Sequence, residues 1–165
     1  MELRDTAKAT DGVPLAVTRF PAEGTAWATL LLAGAMGVRQ DFYEPLARFF
    51  AEGGIHVLTF DYRGMGASRE GSLRGFRADV TTWAQCDLDA MLREARAMAP
   101  GLPAFALGHS LGGQLFGSVP EGARLARARM RSTVSRGTGS GRNARRLRRV
   151  RIASSTERAT LPAAK

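Results

Sequence analysis

The chain has 165 residues, of which 44% are hydrophobic and 24% are charged, and its formal net charge is +9 at pH 7. This length predicts one domain, and the single cysteine, Cys86, excludes an intrachain disulfide framework. The longest apolar run is far shorter than the roughly 18 residues that a membrane-spanning helix needs. The polar N-terminus lacks the apolar segment of a secretion signal. These features predict a cytoplasmic protein with no membrane partner.

The charge is divided unevenly along the chain. Residues 1–120 contain 11 basic and 13 acidic side chains, a net charge of −2, whereas residues 121–165 contain 13 basic and 2 acidic side chains, a net charge of +11. All twelve aromatic residues lie at or before Phe116. We therefore expect a globular core over residues 1–120 and an irregular, Arg-rich tail over residues 121–165 that buries little apolar surface.

Apolar runs alternate with stretches of helical periodicity through the first 120 residues. Short continuous apolar runs predict strands that are covered on both faces, and apolar residues spaced three and four apart predict helices. The predicted strands cover residues 3–9, 13–20, 27–32, 55–60 and 103–107; the predicted helices run from Phe42 to Phe50, from Val80 to Ala99 and onward from Leu111. This alternation predicts an α/β fold with a mostly parallel sheet and helices on both of its faces.

The segment Gly108-His109-Ser110-Leu111-Gly112 follows the last predicted strand and opens the last predicted helix. A Gly-x-Ser-x-Gly turn in that position is typical of the nucleophile elbow of serine hydrolases. The sharp reversal after a buried strand predicts a strained Ser110 with an exposed hydroxyl, and glycines where side chains would clash. The N–H of Leu111 would then point at the oxygen of the carbonyl under attack. A serine that only caps the helix is the alternative.

Two further loops follow predicted strands in a recognisable order. Ala33-Gly34-Ala35-Met36-Gly37 follows the third strand, and Asp61-Tyr62-Arg63-Gly64-Met65-Gly66-Ala67-Ser68 follows the fourth. With the serine turn, these motifs make residues 5–119 resemble the N-terminal half of an α/β-hydrolase, similar to esterases, lipases and serine-aminopeptidase-like hydrolases. The resemblance implies acyl transfer from an ester- or amide-type carbonyl of a small molecule, without a cofactor.

The same resemblance implies roles for particular residues. Ser110 resembles the nucleophile, and the backbone N–H of Leu111 resembles one oxyanion donor. The N–H of Ala35, or alternatively that of Met36, resembles the other donor. Ala33 departs from the family pattern, since many members have a histidine there, but the donors of this loop are backbone groups.

A larger departure follows the serine turn. The family's later strands, cap, acid and histidine have no counterpart after about residue 120. Both histidines, His56 and His109, precede Ser110, and only two acids, Glu121 and Glu157, follow it. Because a serine nucleophile needs a base and a carboxylate that orients the base, we expect a truncated hydrolase fold with absent or severely impaired activity.

Other candidate side chains favour structural interpretations. His109 is adjacent to Ser110 and cannot fold back as its base, and His56 lies inside a predicted strand. Asp61 and Arg63 stand at a strand end, where functional sites collect, but fixation of the loop by Asp61 is favoured. Cys86 is expected to pack in a helix. No Cys/His cluster has metal-ligand spacing, so no metal is expected.

The tail leaves two interpretations open. Its composition fits the shifted-frame translation of a GC-rich gene, which the abrupt loss of aromatic residues favours, and it also fits a disordered basic extension. In either case it would bind nucleic acid or another polyanion by charge alone, and a non-catalytic fragment that does so is the alternative function. Residues 137–141 are glycine-rich but lack the strand and the lysine of a phosphate loop. The sequence leaves the oligomeric state and the substrate open.

Overall fold

The structure is a computed structural model that describes residues 2–120. Five strands form one sheet in the order β1-β2-β4-β3-β5. Their bounds are β1 Leu3–Lys8, β2 Pro14–Phe20, β3 Ala28–Ala33, β4 Ile55–Phe60 and β5 Ala104–Gly108. All five predicted strands are therefore present within one or two residues of the expected ends. The interpretations of residues 121–165, including the glycine-rich segment 137–141, lie outside the described residues.

The sheet is antiparallel at one side and parallel at the other. β1 pairs antiparallel with β2, and β2 pairs antiparallel with β4. β3 pairs in parallel with both β4 and β5, which brings the carboxyl ends of these three strands to one edge. Parallel neighbours need a crossover connection, and the helices after β3 and β4 provide it. The predicted α/β-hydrolase-like arrangement, mostly parallel with an opening hairpin, is confirmed.

The helices begin and end close to the predicted positions. A 3₁₀ turn (Gln40–Tyr43) leads into α1 (Glu44–Glu52), and a second 3₁₀ turn (Gly66–Ser68) follows β4. A continuous helix then consists of α2 (Val80–Thr82), a π-helical segment (Trp83–Leu88) and α3 (Asp89–Ala97). The last helix within residues 2–120 is α4 (Leu111–Leu115). The π-helical segment could not be predicted from the sequence, because apolar periodicity indicates which face of a helix is buried but does not distinguish an α-helical turn from a π-helical turn.

Two apolar layers cover the sheet, one on each face. Successive side chains of a strand point to opposite faces, so Leu30 and Leu32 of β3 pack with α1 while Leu31 and Ala33 pack on the side of α3. Burial on both faces explains why β3 is an uninterrupted apolar run rather than an alternating one. Within residues 2–120, no helix combines the length and the hydropathy needed to cross a membrane.

Candidate active site

Ser110 lies in a sharp turn between a strand and a helix. β5 ends at Gly108 and α4 begins at Leu111, and the backbone of Ser110 adopts φ 51° and ψ −114°. Among residues 2–120, Ser110 is the only residue other than glycine with a positive φ. A non-glycine residue in such a region costs about 1–3 kcal/mol, which the surrounding packing must offset. The Ser110 side chain makes no capping hydrogen bond to α4 and is exposed, so the helix-cap interpretation lacks support.

The two glycines of the turn are required by close backbone contacts. A Cβ atom at Gly108 would lie 2.4 Å from the backbone N and Cα of Gly113. A Cβ atom at Gly112 would lie 2.2 Å from the carbonyl oxygen of Ala33 in β3. Backbone atoms cannot rotate away, so both positions exclude a side chain, as the sequence predicts. The N–H of His109 donates to the same Ala33 oxygen at 2.9 Å and holds the turn against β3.

Two backbone N–H groups, that of Leu111 after Ser110 and that of Met36 in the loop after β3, have no partner among residues 2–120. Leu111 is the first residue of α4, where an N–H lacks an acceptor within its own helix, and none of the described residues provides one. Met36 lies in a tight turn that the N–H of Val38 closes on the Ala35 oxygen at 3.2 Å. The Met36 side chain is 63% exposed, and its N–H has no acceptor within the described part of the chain.

The N–H of Ala35 is occupied, in contrast to its expected role. It donates to the phenolic oxygen of Tyr43 at 2.9 Å. Of the two alternatives for the second oxyanion donor, the Ala35 N–H is bound, whereas the Met36 N–H has no acceptor among residues 2–120. The sequence motif alone could not separate these alternatives, because the competing acceptor is a side chain from the following 3₁₀ turn.

Tyr43 also contacts the residue before the candidate nucleophile. Its hydroxyl oxygen lies 2.9 Å from Nδ1 of His109, and the two rings meet edge to face with centroids 6.0 Å apart. His109 is thus engaged with Tyr43 through Nδ1, and its expected lack of a catalytic role stays a prediction. Sequence reasoning missed Tyr43, since its spacing marked it only as one apolar position of the first helix.

Asp61 joins the loops that follow β3 and β4. It is only 3% exposed; its Oδ1 accepts from the Gln40 N–H at 2.8 Å and its Oδ2 accepts from the Ala67 N–H at 2.9 Å. A Cβ atom at Gly66 would lie 2.3 Å from Asp61 Oδ2, so glycine makes room for the carboxylate. The prediction that Asp61 fixes its own loop is confirmed, and the contact with Gln40 also anchors the 3₁₀ turn that ends at Tyr43.

Arg63 forms an ion-pair network that is buried at Arg63 and Asp87 and exposed at Asp11. Its terminal nitrogens donate to both carboxylate oxygens of Asp11, at 2.6 and 2.7 Å, and its Nε donates to buried Asp87 at 2.7 Å. The hydrogen bonds from Arg63 hold the pKa of the Asp11 carboxyl below its usual value. The network connects the turn between β1 and β2 with the π-helical segment, so Arg63 has a structural role.

The remaining candidates lie in structural positions. Nδ1 of His56 in β4 accepts from the Ala22 N–H at 3.0 Å, and Cys86 in the π-helical segment packs against the core. Both observations confirm the structural interpretations. Among residues 2–120, no group of three His, Cys, Asp or Glu side chains is placed to hold a metal ion. A groove of about 280 Å³ lies between β1, β2 and the first 3₁₀ turn, and Ser110 does not line it.

The strand order, the two-sided helical cover and the serine turn together define an α/β-hydrolase scaffold. Residues 25–119 match the family model described as serine aminopeptidase, S33. The chain therefore belongs to the serine aminopeptidase S33 family of α/β-hydrolases. The match covers the N-terminal portion of the chain and includes Ser110 and both loops described above. None of the curated proteins matches the chain.

Solved α/β-hydrolase structures share this fold. A serine hydrolase without a lid, XC6422 from Xanthomonas campestris, has a TM-score of 0.56 and 24% identity, over 69% of this chain and 53% of that one. A carboxyl esterase from Bacillus coagulans has a TM-score of 0.59 and 18% identity, over 71% and 39%. A monoglyceride lipase from Saccharomyces cerevisiae has a TM-score of 0.56 and 25% identity, over 68% and 36%. This chain thus spans about half of the first structure and less than two-fifths of the other two.

Proposed function

We propose that this chain carries the nucleophile and oxyanion-binding part of a serine hydrolase that acts on an ester- or amide-type carbonyl of a small molecule. The observation that carries the proposal is the strained backbone of Ser110, held between β5 and α4 by glycines that touch backbone on both sides. Strain of this kind collects at functional sites. The likeness to a carboxyl esterase and a monoglyceride lipase supports an ester carbonyl as the reacting group.

The proposed chemistry is attack by the hydroxyl oxygen of Ser110 on the carbonyl carbon. The carbonyl oxygen becomes an oxyanion, and the leaving alcohol or amine departs with a proton to give an acyl-serine that water hydrolyses. The N–H groups of Leu111 and Met36, which have no acceptor among residues 2–120, are our candidates for the oxyanion donors. Ala35 is replaced in this role because its N–H already donates to Tyr43. Loss of one such donor costs about 100- to 1000-fold in rate in a well-studied protease.

The Ser110 proton needs a base, and we infer that neither of the two histidines of the chain supplies it. His109 is engaged through Nδ1 by Tyr43, His56 is engaged through Nδ1 by Ala22, and no histidine follows Ser110 in the sequence. Removal of one triad member costs several orders of magnitude in turnover. We therefore expect the chain alone to show little or no steady-state hydrolysis, while Ser110 stays chemically accessible.

The test measures turnover and covalent labelling of the full chain. With p-nitrophenyl acetate, hydrolysis should stay near the background. With a fluorophosphonate probe, imidazole supplied as an external base should accelerate the appearance of a single adduct in the intact mass. Ser110→Ala should abolish that adduct, whereas Ser118→Ala, which alters a serine in the ordinary turn after α4, should not.

Two outcomes contradict separate expectations. Rapid hydrolysis without imidazole that Ser110→Ala removes would support Ser110 as the nucleophile and overturn the expected inactivity, since it would reveal a base within the chain. Absence of the adduct at any imidazole concentration would remove Ser110 from the role of nucleophile.

A second candidate function rests on charge. Residues 121–165 carry a net charge of +11 in the printed sequence. We propose that this segment gives the full chain a non-specific affinity for polyanions such as nucleic acid, through neutralisation of phosphates and release of counterions.

A further inference from the structure

The hydroxyl of Tyr43 connects the two segments that carry the candidate donors and the nucleophile. It accepts a hydrogen bond from the Ala35 N–H at 2.9 Å and lies 2.9 Å from Nδ1 of His109. Ala35 precedes Met36 in the loop after β3, and His109 precedes Ser110 in the turn after β5. Resting on the proposed function, we propose that Tyr43 is a positioning residue that sets the separation between the Met36 N–H and Ser110.

The hydrogen-bonding capacity of a phenol limits the arrangements of protons in this bridge. A tyrosine hydroxyl has one proton to donate and lone pairs that accept. Since a backbone N–H can only donate, Ala35 uses one lone pair of the oxygen. We assign the Tyr43 proton to the contact with Nδ1 of His109; the reverse arrangement, in which Nδ1–H donates to the second lone pair of Tyr43, is the outcome that measurement of the His109 tautomer distinguishes. The assigned arrangement satisfies the polar groups of a side chain that is only 8% exposed. It leaves Nδ1 of His109 without a proton and places the proton of the neutral ring on Nε2.

The position of the Tyr43 ring is set from outside the loop that it holds. Tyr43 ends the 3₁₀ turn whose first residue, Gln40, is bound to buried Asp61 at 2.8 Å. A Cβ atom at Gly34 would lie 3.0 Å from Cε2 of Tyr43, so the ring packs directly against the loop backbone. The loop therefore takes its position from β4 and α1 through Tyr43. Oxyanion donors act only within a few tenths of an ångström of their required distance, so loss of the bridge should reduce reactivity at Ser110.

The composition of the chain allows an internally controlled test. It contains two tyrosines, Tyr43 and Tyr62, and two histidines, His56 and His109. Tyr62 is also buried, and its hydroxyl has no partner among residues 2–120. Tyr43→Phe thus removes the bridging oxygen, and Tyr62→Phe is a matched control. ¹⁵N-histidine labelling of the full chain produces signals from only two rings. Solution NMR can record these signals from a monomer, and magic-angle-spinning NMR can record them from an assembled protein.

The first readout is the histidine tautomer at neutral pH. In the unaltered chain, both rings should be Nε2–H tautomers, because Nδ1 of His56 accepts from the Ala22 N–H and Nδ1 of His109 is assigned as the acceptor of the Tyr43 proton. Tyr43→Phe should shift the Nδ1 and Nε2 signals of His109 toward a tautomer mixture and leave His56 unchanged. Tyr62→Phe should change neither ring. An His109 ring that is already a mixture, or one that Tyr43→Phe leaves unchanged, overturns the proposed bridge.

The second readout is the rate of fluorophosphonate labelling of Ser110 with imidazole present. Tyr43→Phe should lower this rate about three- to tenfold, the change that corresponds to one neutral hydrogen bond, and Tyr62→Phe should preserve it. A shifted tautomer with an unchanged labelling rate would show a bridge that is only structural and would overturn the positioning role. If the unaltered chain does not react, the proposed function fails and the positioning role with it, while the tautomer still reports the hydrogen bond.

Discussion

Replacement of Gly112 by alanine should destabilise the protein even though it places a better helix former in α4. Alanine is favoured over glycine within a helix by about 1 kcal/mol, so local propensity alone predicts stabilisation. The tertiary contact predicts the reverse, because the new Cβ would lie 2.2 Å from the carbonyl oxygen of Ala33, where ordinary contact begins at 3.4 Å. The start of α4 or strand β3 must therefore move by about 1 Å.

The magnitude follows from the two interactions that this movement disturbs. Overpacking of a close contact costs about 1–3 kcal/mol. Displacement of the Ala33 carbonyl also weakens its hydrogen bond from the His109 N–H, which contributes about 0.5–1.5 kcal/mol. After subtraction of the helix-propensity gain, we expect a net loss of about 2 kcal/mol. For a domain of this size, that loss lowers the melting temperature by about 5–10 °C.

The assay is thermal unfolding of the full chain by circular dichroism, at one protein concentration and heating rate. Gly117→Ala is the matched control, since a Cβ there meets only the Gln114 oxygen at 3.7 Å. It should change stability by no more than about 0.5 kcal/mol. A Gly112→Ala protein that melts at or above the temperature of Gly117→Ala would refute the requirement for glycine at this turn.

Three further predictions concern other parts of the chain. Arg63 holds the pKa of the Asp11 carboxyl below its usual value. The ion pair therefore stabilises the folded chain at any pH above the usual aspartate pKa, and this stabilisation is lost as the pH falls through the lowered pKa of Asp11. Asp11→Asn should therefore be less stable than the unaltered chain at neutral pH, by about 1 kcal/mol or less, and an undiminished difference near pH 2 in urea titrations would contradict this. Within residues 2–120, β5 pairs only with β3, and an apolar sheet edge of this kind favours association between chains. Light scattering should therefore show oligomers. A monomer that melts cooperatively would contradict this prediction. The full chain should bind DNA without sequence preference and lose affinity steeply with salt, whereas a chain that ends at residue 120 should not bind; a tenfold preference for one sequence at physiological salt would indicate base readout.

The secondary structure and the serine turn are determined largely by local sequence. Continuous apolar runs such as residues 27–32 mark strands that are buried on both faces, because no polar side chain can alternate there. The order of glycines around Ser110 predicts a reversal too tight for side chains, and the contacts of Gly108 and Gly112 show this crowding. These features are readable because each depends on residues that lie close together in the chain.

The hydrogen-bond partners at the site are decided only by the tertiary structure. Whether Ala35 or Met36 has a free N–H depends on where the hydroxyl of Tyr43 arrives after the chain leaves β3 and turns into α1. The contacts of Asp61 with Gln40, and of Arg63 with residues from the first hairpin and the π-helical segment, likewise cross large separations in sequence. Periodicity reports which face of an element is buried, but the strand order β1-β2-β4-β3-β5 decides which loops meet. Since crossover connections bring the carboxyl ends of distant strands together, the local sequence determines the serine turn, and only the assembled sheet determines what surrounds it.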